Sequence, residues 1–300
     1  MNRVAKSVLV TGGQGFIGRA LAKLLRREDY RVVTLDQGIA RSADEISCDI
    51  SDAGQVRRVF EQEEFGIVVH LAAILPTAAQ RDPLRATQVN IEGSTHLLEA
   101  ARIAGVRRFL FGSSLSAYGS YPAEQVMTEA DRTAPEDLYG AAKVYVEQLG
   151  QSYSQRYDLE FSSLRIGRVL GAGSHSTTSA WRSEIFERLR SETPVAIRLP
   201  YKASERILVL HVDEAAQIFL ALIRAPRLQH SVYNAPCESM TVGELKQMVE
   251  ALNAMVTVET GDAVADKNPR RLDASRFQKE FDFKAQTIVE RLRGARSAAG

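Results

Sequence analysis

Apolar and polar positions divide the first 170 residues into short apolar runs that alternate with amphipathic segments. The apolar runs are rich in β-branched residues and predict strands at 7–12, 30–36, 66–73, 106–114 and 159–171. The amphipathic segments between them predict helices near 16–28, 53–63, 84–104 and 136–157. Because strands and helices alternate, the pattern predicts an α/β fold, with a doubly wound parallel sheet covered by helices on both faces.

The alternation changes after Gly171. From there the sequence predicts a helix near 181–191, a strand at 194–199, a strand followed by a helix over 207–223, a strand at 231–236 and a helix over 241–253. We therefore predict a large domain over residues 1–170, to which residues 206–236 return, and a smaller substrate-binding lobe over residues 171–300.

Composition narrows the class of protein. The chain has 300 residues and a formal net charge of +1, which gives no electrostatic reason to expect nucleic acid or an anionic membrane as a partner. Cys48 and Cys237 have no CxxC or Cys/His spacing, so neither a disulfide framework nor a metal site is predicted. The first strand begins at Ser7, and no apolar run approaches the ~18 residues that span a bilayer. We expect a cytoplasmic protein.

A glycine turn follows the first strand. Gly12, Gly15 and Gly18 in TGGQGFIG lie between a predicted strand and a predicted helix, as in the dinucleotide site of a Rossmann fold. Such glycines let the backbone approach a pyrophosphate, which the helix N-terminus also attracts. Asp36 ends the next strand, and its carboxylate suits the ribose hydroxyls of NAD and repels the 2′-phosphate of NADP. Arg41 leaves NADP open as an alternative, and Asp36 could instead be a strand-end turn residue.

A second group of residues has the types and positions expected of a catalytic site. Tyr139 and Lys143 are four positions apart in a predicted helix and therefore share one of its faces. Ser113 and Ser114 end the preceding strand, at the edge where parallel sheets bind their ligands. A tyrosine and lysine at this spacing would by themselves be an ordinary surface pair, and it is the serines that favour an active site.

The motifs occur together in one known family. In chain order they are TGGQGFIG (11–18), Asp36, CDISD (48–52), HLAA (70–73), VNIEGS (89–94), SSLSAYG (113–119), YGAAK (139–143), LRIGRVLG (164–171), LHVDEAA (210–216), VYNAP (232–236) and LDASRF (272–277). With this set the chain resembles the extended short-chain dehydrogenases/reductases of the NAD-dependent epimerase/dehydratase family, and in particular the nucleotide-sugar 4-epimerases. The resemblance implies an NAD-dependent enzyme and a homodimer paired through the helices near 84–104 and 136–156.

The resemblance also implies roles for individual residues. Tyr139 would be the catalytic acid/base, Lys143 would lower its pKa and bind the nicotinamide ribose, and Ser114 would hydrogen-bond the reacting oxygen, with Ser113 as the alternative. Lowering the pKa of a tyrosine from about 10 to about 7 takes roughly 4 kcal/mol. A lysine ammonium about 4 Å away supplies about that much at an effective dielectric constant of 20.

The cofactor-binding residues that the resemblance implies form a longer set. They are Gly12, Gly15, Phe16, Ile17, Gly18, Asp36, Asp49, Ile50, Leu71, Ala72, Ala73, Asn90, Tyr139 and Lys143. Asn90 could instead satisfy only backbone groups, and no metal ligand is implied.

The substrate is less well defined. Dehydratases of the family carry acidic residues directly after the active-site serine, whereas this chain has Leu115 and Ser116, which disfavours elimination chemistry. Arg168 stands where nucleotide-sugar enzymes usually have an asparagine, and an arginine there could bind a phosphate or a carboxylate. The substrate-binding residues implied are Ser113, Ser114, Arg168, Arg206 and Arg270.

Three functions remain open from the sequence. The first, which the sequence favours, is oxidation and reduction of a secondary alcohol of a sugar or sugar derivative by Ser114, Tyr139 and Lys143, as in a nucleotide-sugar epimerase. The second is a net NAD-dependent dehydrogenase of a sugar acid or another small hydroxylated compound, suggested by Arg168 and by the short C-terminal lobe. The third is a non-catalytic NAD-binding regulator, which the retained Tyr139 and Lys143 argue against.

Overall fold

In the computed structural model, residues 6–173 and 179–297 are described. The first part of the chain alternates strands and helices as the apolar pattern predicts. Its elements are β1 (Ser7–Thr11), α1 (Phe16–Arg27), β2 (Arg31–Asp36), β3 (Glu45–Ser47), α2 (Ala53–Gln62), β4 (Ile67–His70), α3 (Pro76–Arg81), α4 (Pro83–Thr87), α5 (Ser94–Ile103), β5 (Arg108–Ser114), β6 (Val126–Met127), α6 (Leu138–Arg156), β7 (Glu160–Ile166) and β8 (Arg168–Leu170).

The second part has shorter and more varied elements. They are α7 (Trp181–Glu187), β9 (Val195–Tyr201), β10 (Arg206–His211), α8 (Val212–Arg224), β11 (Val232–Asn234), β12 (Glu238–Thr241), α9 (Val242–Leu252), β13 (Val256–Ala263), β14 (Arg271–Leu272), α10 (Ser275–Phe281) and α11 (Ile288–Ser297).

Seven parallel strands form the main sheet, in the order β11-β7-β5-β4-β1-β2-β3. Successive residues of β1 point to opposite faces, so Val8 packs with α1 and α8 while Leu9 packs with α2, α5 and α6. Helices therefore cover both faces of the sheet, and the predicted doubly wound α/β fold is confirmed.

Smaller sheets form around a separate apolar cluster in the second part of the chain. Strands β12, β10 and β8 form one of these sheets, and β13 pairs in parallel with β9. Trp181, Ile207 and Val249 belong to the cluster between them. The chain also returns to the main sheet, because β11 pairs with β7 and α8 packs on α1. Strand β10, by contrast, pairs only with β8 and β12 among the described residues.

Two predicted elements are interrupted. The strand expected over 159–171 is split into β7 and β8 at Gly167, where a Cβ atom would lie 2.9 Å from the carbonyl oxygen of Leu208. The helix expected over 84–104 contains a π-helical turn, Gln88–Gly93, between α4 and α5. Within residues 6–173 and 179–297, no helix is long and apolar enough to cross a membrane.

Candidate active site

A cavity of about 950 Å³ opens at the carboxyl ends of β1, β2, β4 and β5, where ligands bind to sheets of this kind. Residues of the second part of the chain, including Arg182, Tyr201 and Asn268, close its other side. Its volume is at the upper end of the range of small-molecule sites. The cavity therefore has room for a cofactor and a substrate together.

The glycine turn forms one end of this cavity. Gly12 has a φ of +67°, and a Cβ atom there would lie 2.7 Å from the backbone nitrogen of Ala72. A Cβ atom on Gly18 would collide with the carbonyl oxygen of Gly12. Helix α1 begins after Gly15 without a side-chain cap, so its first N–H groups are free for a pyrophosphate. The turn fits a dinucleotide.

Asp36 lies beside the turn at the end of β2. Its Oδ2 atom accepts a hydrogen bond from the backbone nitrogen of Gln14 at 3.0 Å, and the residue lines the cavity. Arg41 does not line the cavity, and its backbone nitrogen donates to the Glu45 carboxylate. This arrangement favours ribose hydroxyls over a 2′-phosphate.

The other predicted cofactor residues, with one exception, also line the cavity; they are Phe16, Ile17, Asp49, Ile50, Leu71, Ala72 and Ala73. The exception is Asn90, which is 5% exposed. Its Oδ1 atom accepts from the backbone nitrogen of Ile74 at 2.7 Å, and its Nδ2 atom donates to the Ile74 carbonyl at 2.9 Å. Asn90 therefore holds the loop after β4 through backbone groups instead of facing a ligand.

Tyr139 and Lys143 project from the first turns of α6, which begins at the capping carboxylate of Asp137. The Lys143 Nζ atom donates to the Gly112 carbonyl at 2.7 Å and lies 5.2 Å from the centre of the Tyr139 ring. The Ser114 hydroxyl lies close enough to the Tyr139 phenol to lower its pKa. The three predicted catalytic residues are thus brought together on one wall of the cavity.

Ser113 and Ser114 point to different surroundings. The buried Ser113 hydroxyl donates to the Glu147 carboxylate at 2.5 Å. Ser114 accepts from the backbone nitrogen of Ser116 at 3.1 Å and remains next to Tyr139. Of the two serines, Ser114 is therefore the one available to a substrate oxygen.

Burial has the largest effect on the pKa values of Tyr139 and Lys143, and it changes one expectation from the sequence. It raises the pKa of Tyr139 to about 12, although the neighbouring Ser114 hydroxyl and the Arg182 charge act in the opposite direction. It also lowers the pKa of Lys143 to about 7, while the Glu147 carboxylate raises it. The expected lowering of the Tyr139 pKa by Lys143 is therefore not found: desolvation has the largest effect, and the charge that lowers this pKa is that of Arg182.

The arginines predicted to bind substrate separate into two groups. Arg168 lines the cavity, with its guanidinium 5.3 Å from the centre of the Tyr201 ring. Arg206 and Arg270 do not line it. Arg206 donates to Ser239, and Arg270 pairs with Glu205 at 3.3 Å. The guanidinium groups of Arg206 and Arg270 therefore bind other groups of the protein instead of facing the cavity.

Sequence reasoning missed Arg182, which follows Trp181 in α7 and lines the cavity. Burial lowers the pKa of its guanidinium, and the positive charge of Arg168 lowers it further. Within the described residues, its buried Nε atom has no hydrogen-bond partner. No motif marks Arg182, since it reaches the site only through the fold of the second part of the chain.

The turn Asp266–Lys267–Asn268 also lines the cavity and was missed for the same reason. Its Asn268 Oδ1 atom lies 3.4 Å from the Ser116 hydroxyl.

Comparison with known proteins adds to this geometry. Residues 8–235 match the model of the NAD-dependent epimerase/dehydratase family. Mitochondrial L-threonine 3-dehydrogenase of Bos taurus is 27% identical over 293 residues, which cover 92% of this chain and 78% of that protein. D-erythronate dehydrogenase of Cupriavidus necator is 29% identical over 286 residues, which cover 87% and 84%. The structure of Thermus thermophilus UDP-glucose 4-epimerase in complex with NAD has a TM-score of 0.82 at 24% identity, covering 98% of this chain and all of that one.

Proposed function

The chain belongs to the NAD-dependent epimerase/dehydratase family, and we propose that it is a dehydrogenase that oxidises the secondary alcohol of a small hydroxy carboxylate. Bound NAD⁺ supplies the hydride acceptor and a positively charged ring. The glycine turn, the uncapped start of α1 and Asp36 would hold it.

Tyr139, Ser114 and Lys143 divide the remaining chemistry between them. Ser114 hydrogen-bonds the substrate oxygen, and Tyr139 removes the hydroxyl proton as the hydride leaves. The phenol is a poor base in the cofactor-free protein because burial raises its pKa to about 12. Two adjacent positive charges, the Lys143 ammonium and Arg182, would stabilise the phenolate during proton transfer. Base strength therefore depends on the charges assembled around Tyr139.

Arg182 is the observation that favours a carboxylate substrate. Its guanidinium lies in the cavity beside Arg168 and close enough to Tyr139 for its charge to act on the phenol. A carboxylate is planar and accepts two parallel hydrogen bonds from an arginine. Its negative charge would offset the repulsion between the two guanidinium groups. The two relatives described above, which match 92% and 87% of this chain, are named as dehydrogenases, which supports the same choice.

Epimerisation of a nucleotide sugar is the second candidate. The size of the cavity favours it, and so does the full-length structural likeness to a UDP-glucose 4-epimerase. The positions of Arg206 and Arg270 outside the cavity count against it, because the resemblance to nucleotide-sugar enzymes implied that these residues bind the substrate.

Net formation of NADH separates the two functions. A panel of 2- and 3-hydroxy acids, sugar acids and UDP or dTDP sugars would first be screened by thermal shift with NAD⁺ present, since a ligand stabilises the state that it binds. We expect stabilisation and NADH accumulation with a hydroxy acid. A nucleotide sugar converted to its epimer without NADH accumulation would contradict the proposal.

Two matched variants control this experiment. Tyr139→Phe removes the base and is expected to abolish NADH formation while leaving NAD⁺ binding measurable. Tyr145→Phe makes the same change at an exposed position of the same helix and is expected to keep full activity.

The organisation of the molecule is also proposed. Residues 1–170 bind NAD, and residues 171–300 supply the substrate lobe, with α8 and β11 returning to the main sheet. Pairing of two chains through α4, α5 and α6 stays a prediction, supported by the exposed apolar side chains Leu84, Ile103 and Tyr145 on these helices. A cytoplasmic location also stays a prediction.

A further inference from the structure

Glu147 is a buried carboxylate that the proposed reaction does not use. It is 1% exposed and lies on α6, four residues after Lys143 and eight after Tyr139. Its Oε1 atom accepts hydrogen bonds from the Ser113 hydroxyl at 2.5 Å and from Arg165 Nε at 3.0 Å. Its Oε2 atom accepts from Arg165 Nη2 at 2.6 Å. Both oxygens are therefore occupied by groups of β5 and β7.

These contacts connect Glu147 to the position of Lys143. Ser113 directly follows Gly112, whose carbonyl accepts the hydrogen bond from Lys143 Nζ. Lys143 and Glu147 thus attach one face of α6 to two consecutive residues of β5. A shift of either contact would move the ammonium relative to Tyr139.

The titratable groups around Lys143 show why the carboxylate matters. Tyr139 lies on the same helix, and His70 of β4 is neutral, because burial and the Lys143 charge lower its pKa to about 3. Arg165 of β7, 4% exposed, is a second buried cation and is paired with Glu147. Glu147 is the charge that favours the protonated form of Lys143 against desolvation.

We propose that Glu147 is a positioning residue that holds the Lys143 ammonium against β5 and keeps it charged beside Tyr139. This role rests on the proposed function, in which Lys143 supplies positive charge to the phenolate. It also assigns Ser113 to the buried network, so that Ser114 alone of the pair faces the substrate. The conventional role for such a carboxylate would be only to pair with Arg165.

A titration of Lys143 that needs no substrate tests the proposal. The protein would be labelled with ¹³C-lysine, the Lys143 signal assigned with Lys143→Met, and its chemical shift followed against pH. In Glu147→Gln, an isosteric change that removes the charge, we expect the titration midpoint of Lys143 to move to lower pH by about one unit or more. Failure to find a substrate would leave this measurement unaffected, so the two proposals fail separately.

Two further variants keep the result interpretable. Glu160→Gln is the matched control, since Glu160 pairs with the fully buried Arg108 at the opposite ends of the same two strands. It should leave the Lys143 titration unchanged. Glu147→Gln also leaves the buried Arg165 without its carboxylate partner. The Nη1 atom of Arg165 is already buried without a hydrogen-bond partner in the described structure, so the single variant could fail to fold. The double variant Glu147→Gln, Arg165→Met removes that cost.

The Lys143 titration in the Glu147 variants has two possible outcomes. A lower midpoint in every Glu147 variant that folds, with Glu160→Gln unchanged, supports a positioning role. A midpoint equal to that of the wild type in either folded Glu147 variant overturns it and leaves Glu147 as a structural partner of Arg165.

Discussion

Replacing Lys143 with methionine is expected to stabilise the cofactor-free protein, by an amount that depends on pH. Lys143 is 4% exposed, and burial lowers its pKa from 10.5 to about 7. When the pKa of a lysine is lower in the folded than in the unfolded state, folding is disfavoured wherever the unfolded lysine is protonated. At 1.36 kcal/mol per pKa unit the penalty is about 5 kcal/mol below pH 7. It diminishes as pH rises through the window between the two pKa values, because the folded lysine is then neutral.

The assay is urea unfolding of the wild type and of Lys143→Met at several values from about pH 6 to about pH 10. Loss of the Lys143–Gly112 hydrogen bond costs about 1–3 kcal/mol at every pH, so the informative quantity is the change in the stability difference with pH. We expect the variant to lose several kcal/mol of its relative advantage as pH rises. Lys246→Met, at a half-buried surface ion pair with Glu250, serves as the control. A stability difference that does not vary with pH would refute the reasoning.

Other substitutions test the remaining parts of the site. Asp36→Asn should raise the ratio of NADP to NAD use by about tenfold in steady-state kinetics, and an unchanged ratio would mean that this carboxylate does not face the ribose. Ser114→Ala should lower kcat by about 10²–10³-fold. Ser113→Ala should keep kcat and lower the thermal midpoint of unfolding. If Ser113→Ala lowered kcat and Ser114→Ala did not, Ser113 would be the serine that binds the substrate oxygen. Gly18→Ala should destabilise the protein by about 2 kcal/mol or more and abolish NAD binding in calorimetry, because its Cβ atom collides with Gly12. Normal binding would show that the turn adapts.

The sequence predicted best those features that local chemistry determines. The glycine turn, Asp36 at a strand end and the Tyr139–Lys143 spacing depend on single turns of chain, and all of these residues line the cavity. Asn90 was expected near the cofactor, but its side chain is directed by a tertiary contact with the loop after β4.

Features that depend on tertiary packing could not be predicted as well from the sequence. Arg206 lies in a strand whose partner, β12, could not be inferred from its pattern, and the pairing directs it to Ser239. Arg182 enters the cavity only because the second part of the chain folds over the sheet edge. The pKa of Tyr139 was expected from a charge pair at an assumed dielectric constant, whereas its degree of burial is a property of the whole fold.

The central claim, a substrate carboxylate held by Arg182 beside Tyr139, is tested most directly with a matched pair of substrates. Initial rates of NADH formation would be measured for the best hydroxy acid and for its primary amide, with wild type, Arg182→Met and Arg270→Met. We predict that wild type and Arg270→Met prefer the acid by about 10²-fold in kcat/KM, equivalent to roughly 3 kcal/mol, and that Arg182→Met loses this preference. Equal rates for acid and amide in the wild type, or an undiminished preference in Arg182→Met, would contradict the account.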